Sequence, residues 1–186
     1  MAPTAVRKQK DDLLKMKVET KFWDISNGGK ELNEGIDLML KARKASSWFD
    51  KILNYYERAI EKFGVAWKKS SAKFEAHGEG EAVLKNSAYL EKQAYSELAE
   101  VFRGMSKEEK VDFLNEIDNG NSLSSIYGRN APEPLKSPSH STEKNVQKFN
   151  DDCVKFVDRL AEICERRART EAQPKEEKPK PAQALP

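Results

Sequence analysis

Histidine and cysteine are scarce: the 186 residues hold two of each. His77 lies in "EAHGEGE" and His140 in "SPSHS", and neither has a Cys or Asp at metal-ligand spacing. No glycine loop has the spacing of a phosphate or dinucleotide cradle; "HGEGE" reads as a turn between helices. Carboxylates are numerous, but each sits in a mixed-charge helical pattern. Nothing marks an apolar pocket shared by two of them for acid–base work. The expectation is a protein that is not an enzyme and has no cofactor or metal.

Long apolar runs are also missing. No stretch approaches the roughly 18 apolar residues of a spanning helix. "MAPTAVRKQKDDLLKMK" has no apolar run ahead of its charges, which argues against a secretory signal. The expected location is cytoplasmic, peripheral at a membrane at most. Cys153 and Cys164 are eleven residues apart. On one helix that is about 16 Å of rise, too far for a disulfide. They read as reduced core cysteines. The net charge of +2 supplies no bulk field for nucleic acid. The prolines of the tail and of residues 132–138 never fall at PxxP spacing.

What is abundant is charge, 34% of residues, with modest glycine and proline. That balance favours long helices. Residues 1–21 are a polar N-terminal segment, and 172–186 read as a disordered Pro- and Lys-rich tail. Between them, 22–171 form a helical domain. Leu32, Ile36, Met39, Phe49, Ile52, Tyr56, Ile60, Phe63, Trp67 and Phe74 recur at helical spacing, predicting one long helix of some forty residues. Gly35 and Gly64 weaken it, and either is a place for a bend. A second helix carries Leu84, Ala88, Ala94, Leu98, Val101 and Met105. Ser106 and Glu109 form a capping box for a short helix. Residues 118–141 read as a mobile loop. A last helix, beginning near Ser141, has the seam Val146, Phe149, Cys153, Phe156, Leu160, Ile163 and Arg167. The fold expectation is all-α: an elongated antiparallel helical bundle, coiled-coil-like.

Charge follows the same periodicity. On a helical wheel Lys44, Lys51, Arg58, Lys62, Lys69 and Lys73 lie on one flank of the apolar seam, with Asp50, Glu57 and Glu61 on the other. From Lys41 to Lys73 nine basic residues stand against three acidic ones. The last helix repeats the pattern with Lys148, Lys155, Arg159 and Arg166. Two readings stay open. Such flanks set pairing between helices in coiled coils, or they build a cationic face for acidic lipid headgroups. No aromatic residue is interleaved with the basic stripes, so base stacking, and with it nucleic acid, is not expected.

Residues 21–74, "KFWDISNGGKELNEGIDLMLKARKASSWFDKILNYYERAIEKFGVAWKKSSAKF", resemble the start of an F-BAR domain. Phe22-Trp23 stands where those domains carry an opening Phe-Trp pair. "ERAIEKFG", Glu57 to Gly64, is similar to their ERAxxExxY(A/G) signature with Phe63 in place of Tyr, and "AWKKSSAKF" occupies the basic continuation. "VLKNSAYLEKQAYSELAEVF" (83–102) fits their next helix. The likeness covers roughly residues 21–103 and points to a shortened or divergent member of the BAR superfamily. It implies a BAR-type homodimer that binds anionic phospholipid membranes, senses or shapes curvature, and works beside cytoskeletal or endocytic proteins. Trp23, Phe49, Ile52, Tyr56, Ile60, Phe63 and Trp67 would then serve helix packing and the dimer. The competing expectation is a coiled-coil cytoskeletal or adaptor protein with no lipid role.

Overall fold

The computed structural model describes residues 12–20, 27–138 and 142–170. It is an all-helical bundle, with no strand among those residues. Helix α1 is Gly29–Lys44 and α2 is Glu57–His77, preceded by a π-helical stretch, Asp50–Tyr56. Helix α3 is Glu81–Gly104, α4 is Lys107–Asp118 and α5 is Glu143–Arg169. A 3₁₀ segment, Ser125–Asn130, lies between α4 and α5 and is called the strap below.

The forty-residue repeat is not one helix. The chain leaves helical geometry at Ala45, which is extended (φ −64°, ψ 140°), and resumes it at Trp48. Ala45, Ser46 and Ser47 bring no large apolar side chain to hold a seam together, and serine side chains compete for backbone partners. Helices α1 and α2 therefore form an antiparallel hairpin: Glu34 pairs with Lys62 and Glu31 with Lys69. The two halves of the repeat face each other, with Leu32, Ile36 and Met39 packing in the same core as Ile60 and Phe63.

The next turn is tight. Gly78 and Gly80 both adopt left-handed backbone (φ 67° and 85°), which an L side chain disfavours. With Glu79 between them they reverse the chain into α3, so "HGEGE" is the expected interhelical turn. The expected capping box is formed: the Ser106 hydroxyl accepts from the Glu109 N–H, and the Glu109 carboxylate accepts from the Ser106 N–H, both at 3.1 Å. Thr142 caps α5 by accepting from the Asn145 N–H. Helix α5 packs along α3 and α4, burying Cys153, Phe156, Leu160 and Ile163. Both cysteines are buried and unbridged.

At the centre the Phe102 ring meets Phe113 edge-on at 5.6 Å, and Phe113 meets Trp48 at 6.0 Å. Residues 118–138 are not simply loop. Ile126 and Tyr127 of the strap are buried, and the Tyr127 ring lies 6.1 Å from that of Phe102. Two large side chains with core positions available outweigh the turn-forming composition around them. Part of the polar N-terminal segment also packs on the bundle: Leu13 is buried, and Val18 exchanges two hydrogen bonds with the Asn33 side chain.

Candidate anionic-surface interface

Of the residues expected to serve packing, four lie in the core. Ile52, Tyr56, Ile60 and Phe63 are buried, and Phe49 and Trp67 are half-buried. Trp23 lies outside the described residues, as do Phe22 and His140.

The two basic stripes have different surroundings. On α2, the basic flank faces α1. Lys62 bonds Glu34 at 2.5 Å, and Lys69 bonds Glu31, whose carboxyl these lysines help to hold below the usual range against the opposing effect of burial. Lys73 pairs with Glu79 at 3.6 Å. Lys44 is exposed but ends a different helix, α1. Arg58 is exposed and Lys51 half-buried; neither forms an ion pair among the described residues. The acidic flank faces the strap: Glu57 accepts from the Tyr127 hydroxyl at 2.6 Å, and Glu61 from the Ser124 hydroxyl at 3.1 Å. Both charged flanks of α2 thus meet partners within the fold.

Helix α5 is arranged otherwise. Lys144, Lys148, Lys155, Arg159, Arg166 and Arg169 succeed one another at steps of three, four or their sums, which places them on one face. That face is the solvent side, opposite Cys153, Phe156 and Leu160. Over 25 residues it extends about 37 Å. Lys148, Lys155 and Arg166 are exposed and form no ion pair among the described residues. Two carboxylates interrupt the strip. Asp151 is taken up by Lys107 of α4 at 3.0 Å, and Glu162 by Arg159 at 3.1 Å. The acids on its edge are also engaged: Asp158 by Lys110 at 3.0 Å and Glu165 by Arg103 at 2.8 Å. The Arg103 pair holds the Glu165 carboxyl below the ordinary carboxylate range. The outcome is a cationic ridge most of whose neighbouring acids are partnered; Asp152, between Lys148 and Lys155, forms no ion pair among the described residues.

Lys144 and Arg169 extend the ridge beyond the four residues read from the periodicity. Lys144 falls four residues before Lys148, and Arg169 three after Arg166, so the same wheel could have found both. A second polar cluster had no sequence signal. Arg43 of α1 holds Glu97 of α3 through two hydrogen bonds, 2.6 and 3.0 Å, and the Tyr56 hydroxyl donates to the same carboxylate at 3.2 Å. This cluster ties α1, the π-helical stretch and α3 together.

Among the described residues no group of three His, Cys, Asp or Glu is placed to hold a metal, and no helix is long and apolar enough to cross a membrane. No family model, curated protein or solved structure matches the chain. The F-BAR likeness of residues 21–103 therefore stands on the residues quoted for it.

Proposed function

We propose that this bundle is a peripheral membrane-binding scaffold that docks on anionic phospholipid through the outer face of α5. The α5 ridge carries this reading: six cations in line, with Asp151, Asp158 and Glu165 engaged by Lys107, Lys110 and Arg103 of neighbouring helices, while Arg159 and Arg169 each share a carboxylate within α5. Basic residues near an anionic leaflet contribute on the order of 1 kcal/mol each, and several acting together give reversible attachment. The F-BAR likeness adds the second half of the proposal: the chain works as a homodimer that senses or shapes curvature, near cytoskeletal or endocytic proteins. Lys44, Lys51 and Arg58 would supplement the ridge. Lys62, Lys69 and Lys73 contribute less, because each has a carboxylate partner in the fold.

A second reading is favoured by those same pairs. Lys62–Glu34 and Lys69–Glu31 are the charge pairing that sets helix partners in coiled coils. On that reading the protein is a cytoskeletal or adaptor interaction module with no lipid role. Vesicle co-sedimentation separates the two. The membrane reading expects binding to vesicles containing phosphatidylserine and none to phosphatidylcholine alone, weakening as salt shortens the Debye length from ~10 Å at 0.1 M. Absence of binding to anionic vesicles at low salt would leave the interaction-module reading. Light scattering expects twice the chain mass, and a monomer at all accessible concentrations would remove the BAR-type part.

A further inference from the structure

A carboxylate buried away from water needs either a cation or a proton. Glu57 is 6% exposed. It opens α2, immediately after the π-helical stretch, the kind of irregularity often found beside functional groups. Among the described residues its carboxylate takes one hydrogen bond, from the Tyr127 hydroxyl, and Tyr127 is wholly buried. Burial is the strongest influence on the Glu57 carboxyl and raises it; the Tyr127 hydrogen bond opposes this, and Glu61, one turn along α2, adds to it. From the other elements packed here, Cys164 of α5 and Tyr95 of α3 surround Tyr127, Glu91 lies near Tyr95, and the Arg167 guanidinium of α5 lies against the strap, where a Cβ on Gly128 would stand 2.6 Å from its Nη2. Among the described residues no cation pairs with Glu57.

The strap has few polar attachments beside the burial of Ile126 and Tyr127. Besides the Glu57–Tyr127 bond there are the Ser124 hydroxyl to Glu61 and the Tyr95 hydroxyl, which donates to the Ile126 carbonyl at 2.7 Å. Residues 119–122 before it and its own last two residues, 129–130, are exposed, while Leu123 and Ala131 on either side are half-buried. We propose that the Glu57–Tyr127 contact is a proton-operated latch. Protonated Glu57 keeps the strap seated between α2, α3 and α5, and loss of the proton lets Tyr127 and the strap swing out.

The direction follows from linkage. In the closed form the Glu57 carboxyl is pushed from 4.5 up to about 7. In an open form it meets water and returns to its ordinary value. The closed form therefore binds the proton more tightly. Its advantage is complete below the ordinary value and is lost as pH rises through about 7. The opening constant should rise on the order of 100-fold between about pH 5 and pH 8. The latch is independent of whether α5 binds lipid.

Amide hydrogen exchange of the strap, corrected for the intrinsic pH dependence of exchange, reads this constant. Wild-type protein should show the rise. Glu57→Gln, which cannot ionise, should abolish it, whereas Glu61→Gln should retain it. An NMR titration of the Glu57 side-chain carboxyl in the wild-type protein needs no variant and should give a midpoint near neutrality. The proposal is overturned by a strap whose opening ignores pH, by a Glu57→Gln protein that keeps the rise, or by a midpoint near the ordinary glutamate value.

Discussion

Gly35 of α1 lies directly under the ring of Phe63 in α2: a Cβ at position 35 would stand 2.5 Å from the Phe63 Cε1. Read along the chain, Gly35 is a weak point in a helix. In the fold it is what allows α1 and α2 to close on a fully buried phenylalanine. Gly64 is one residue further on in α2, and a Cβ there would meet nothing within 4 Å.

The two glycines should therefore respond oppositely to the same change. Gly35→Ala should destabilise the fold by about 1–3 kcal/mol, the usual result of overpacking a filled core. Gly64→Ala should stabilise it by about 0.5–1 kcal/mol through helix propensity and a less disordered unfolded chain. Urea melts of the two variants against wild type check both signs. A stabilised Gly35→Ala protein would contradict the α1–α2 packing.

The pairs Lys62–Glu34 and Lys69–Glu31 predict a charge-order effect. Lys62→Glu with Lys69→Glu places like charges across the hairpin, so the change is not a neutral surface substitution. The loss should be about 1 kcal/mol per site, reduced at high salt. Adding Glu31→Lys and Glu34→Lys should restore stability. Failure of that rescue in thermal melts would mean the pairs do not persist in solution.

Glu97 should be among the more sensitive polar positions, because it serves both Arg43 and Tyr56. Glu97→Ala leaves a half-buried guanidinium and a buried hydroxyl without this acceptor, and should cost about 2–3 kcal/mol. A double-mutant cycle with Arg43→Ala should recover a clear coupling energy. Additive losses would argue that the cluster does not act as a unit.

Limited trypsin digestion should distinguish the two halves of the 118–138 connection. Arg129 belongs to the seated strap, whereas Lys136 lies in exposed, irregular chain. Lys136 should be cut before Arg129 at pH 6, where the proposed latch is closed. Earlier cleavage at Arg129 would mean the strap is not held.

Much of the helix content is legible in the sequence. Ile52, Ile60, Phe63, Phe156 and Leu160 kept the helical period and are buried. Ser106 and Glu109 announced a helix start by local chemistry alone. The reversal at Ala45–Ser47 was not legible, because the apolar period resumes at Trp48 and Phe49 almost in phase, and a wheel carries no information on chain direction. Nor was the seating of Tyr127. Its partner Glu57 is 70 residues away, and only the fold brings a turn-rich segment to a buried carboxylate. A wheel says which side a lysine occupies and not what faces it. Glu31 and Glu34 of α1 face Lys69 and Lys62, while the α5 cations face solvent.

That difference between the two stripes makes the central claim testable in one measurement. Lys148→Glu, Lys155→Glu and Arg166→Glu reverse charge at three exposed, unpaired positions of α5, where the fold should tolerate the change. The triple variant is compared with wild type by co-sedimentation on phosphatidylserine-containing vesicles at about 0.1 M salt, with circular dichroism to confirm the helical fold. The account predicts a folded variant that has lost vesicle binding. A folded variant that sediments with vesicles as well as wild type would contradict the α5 interface.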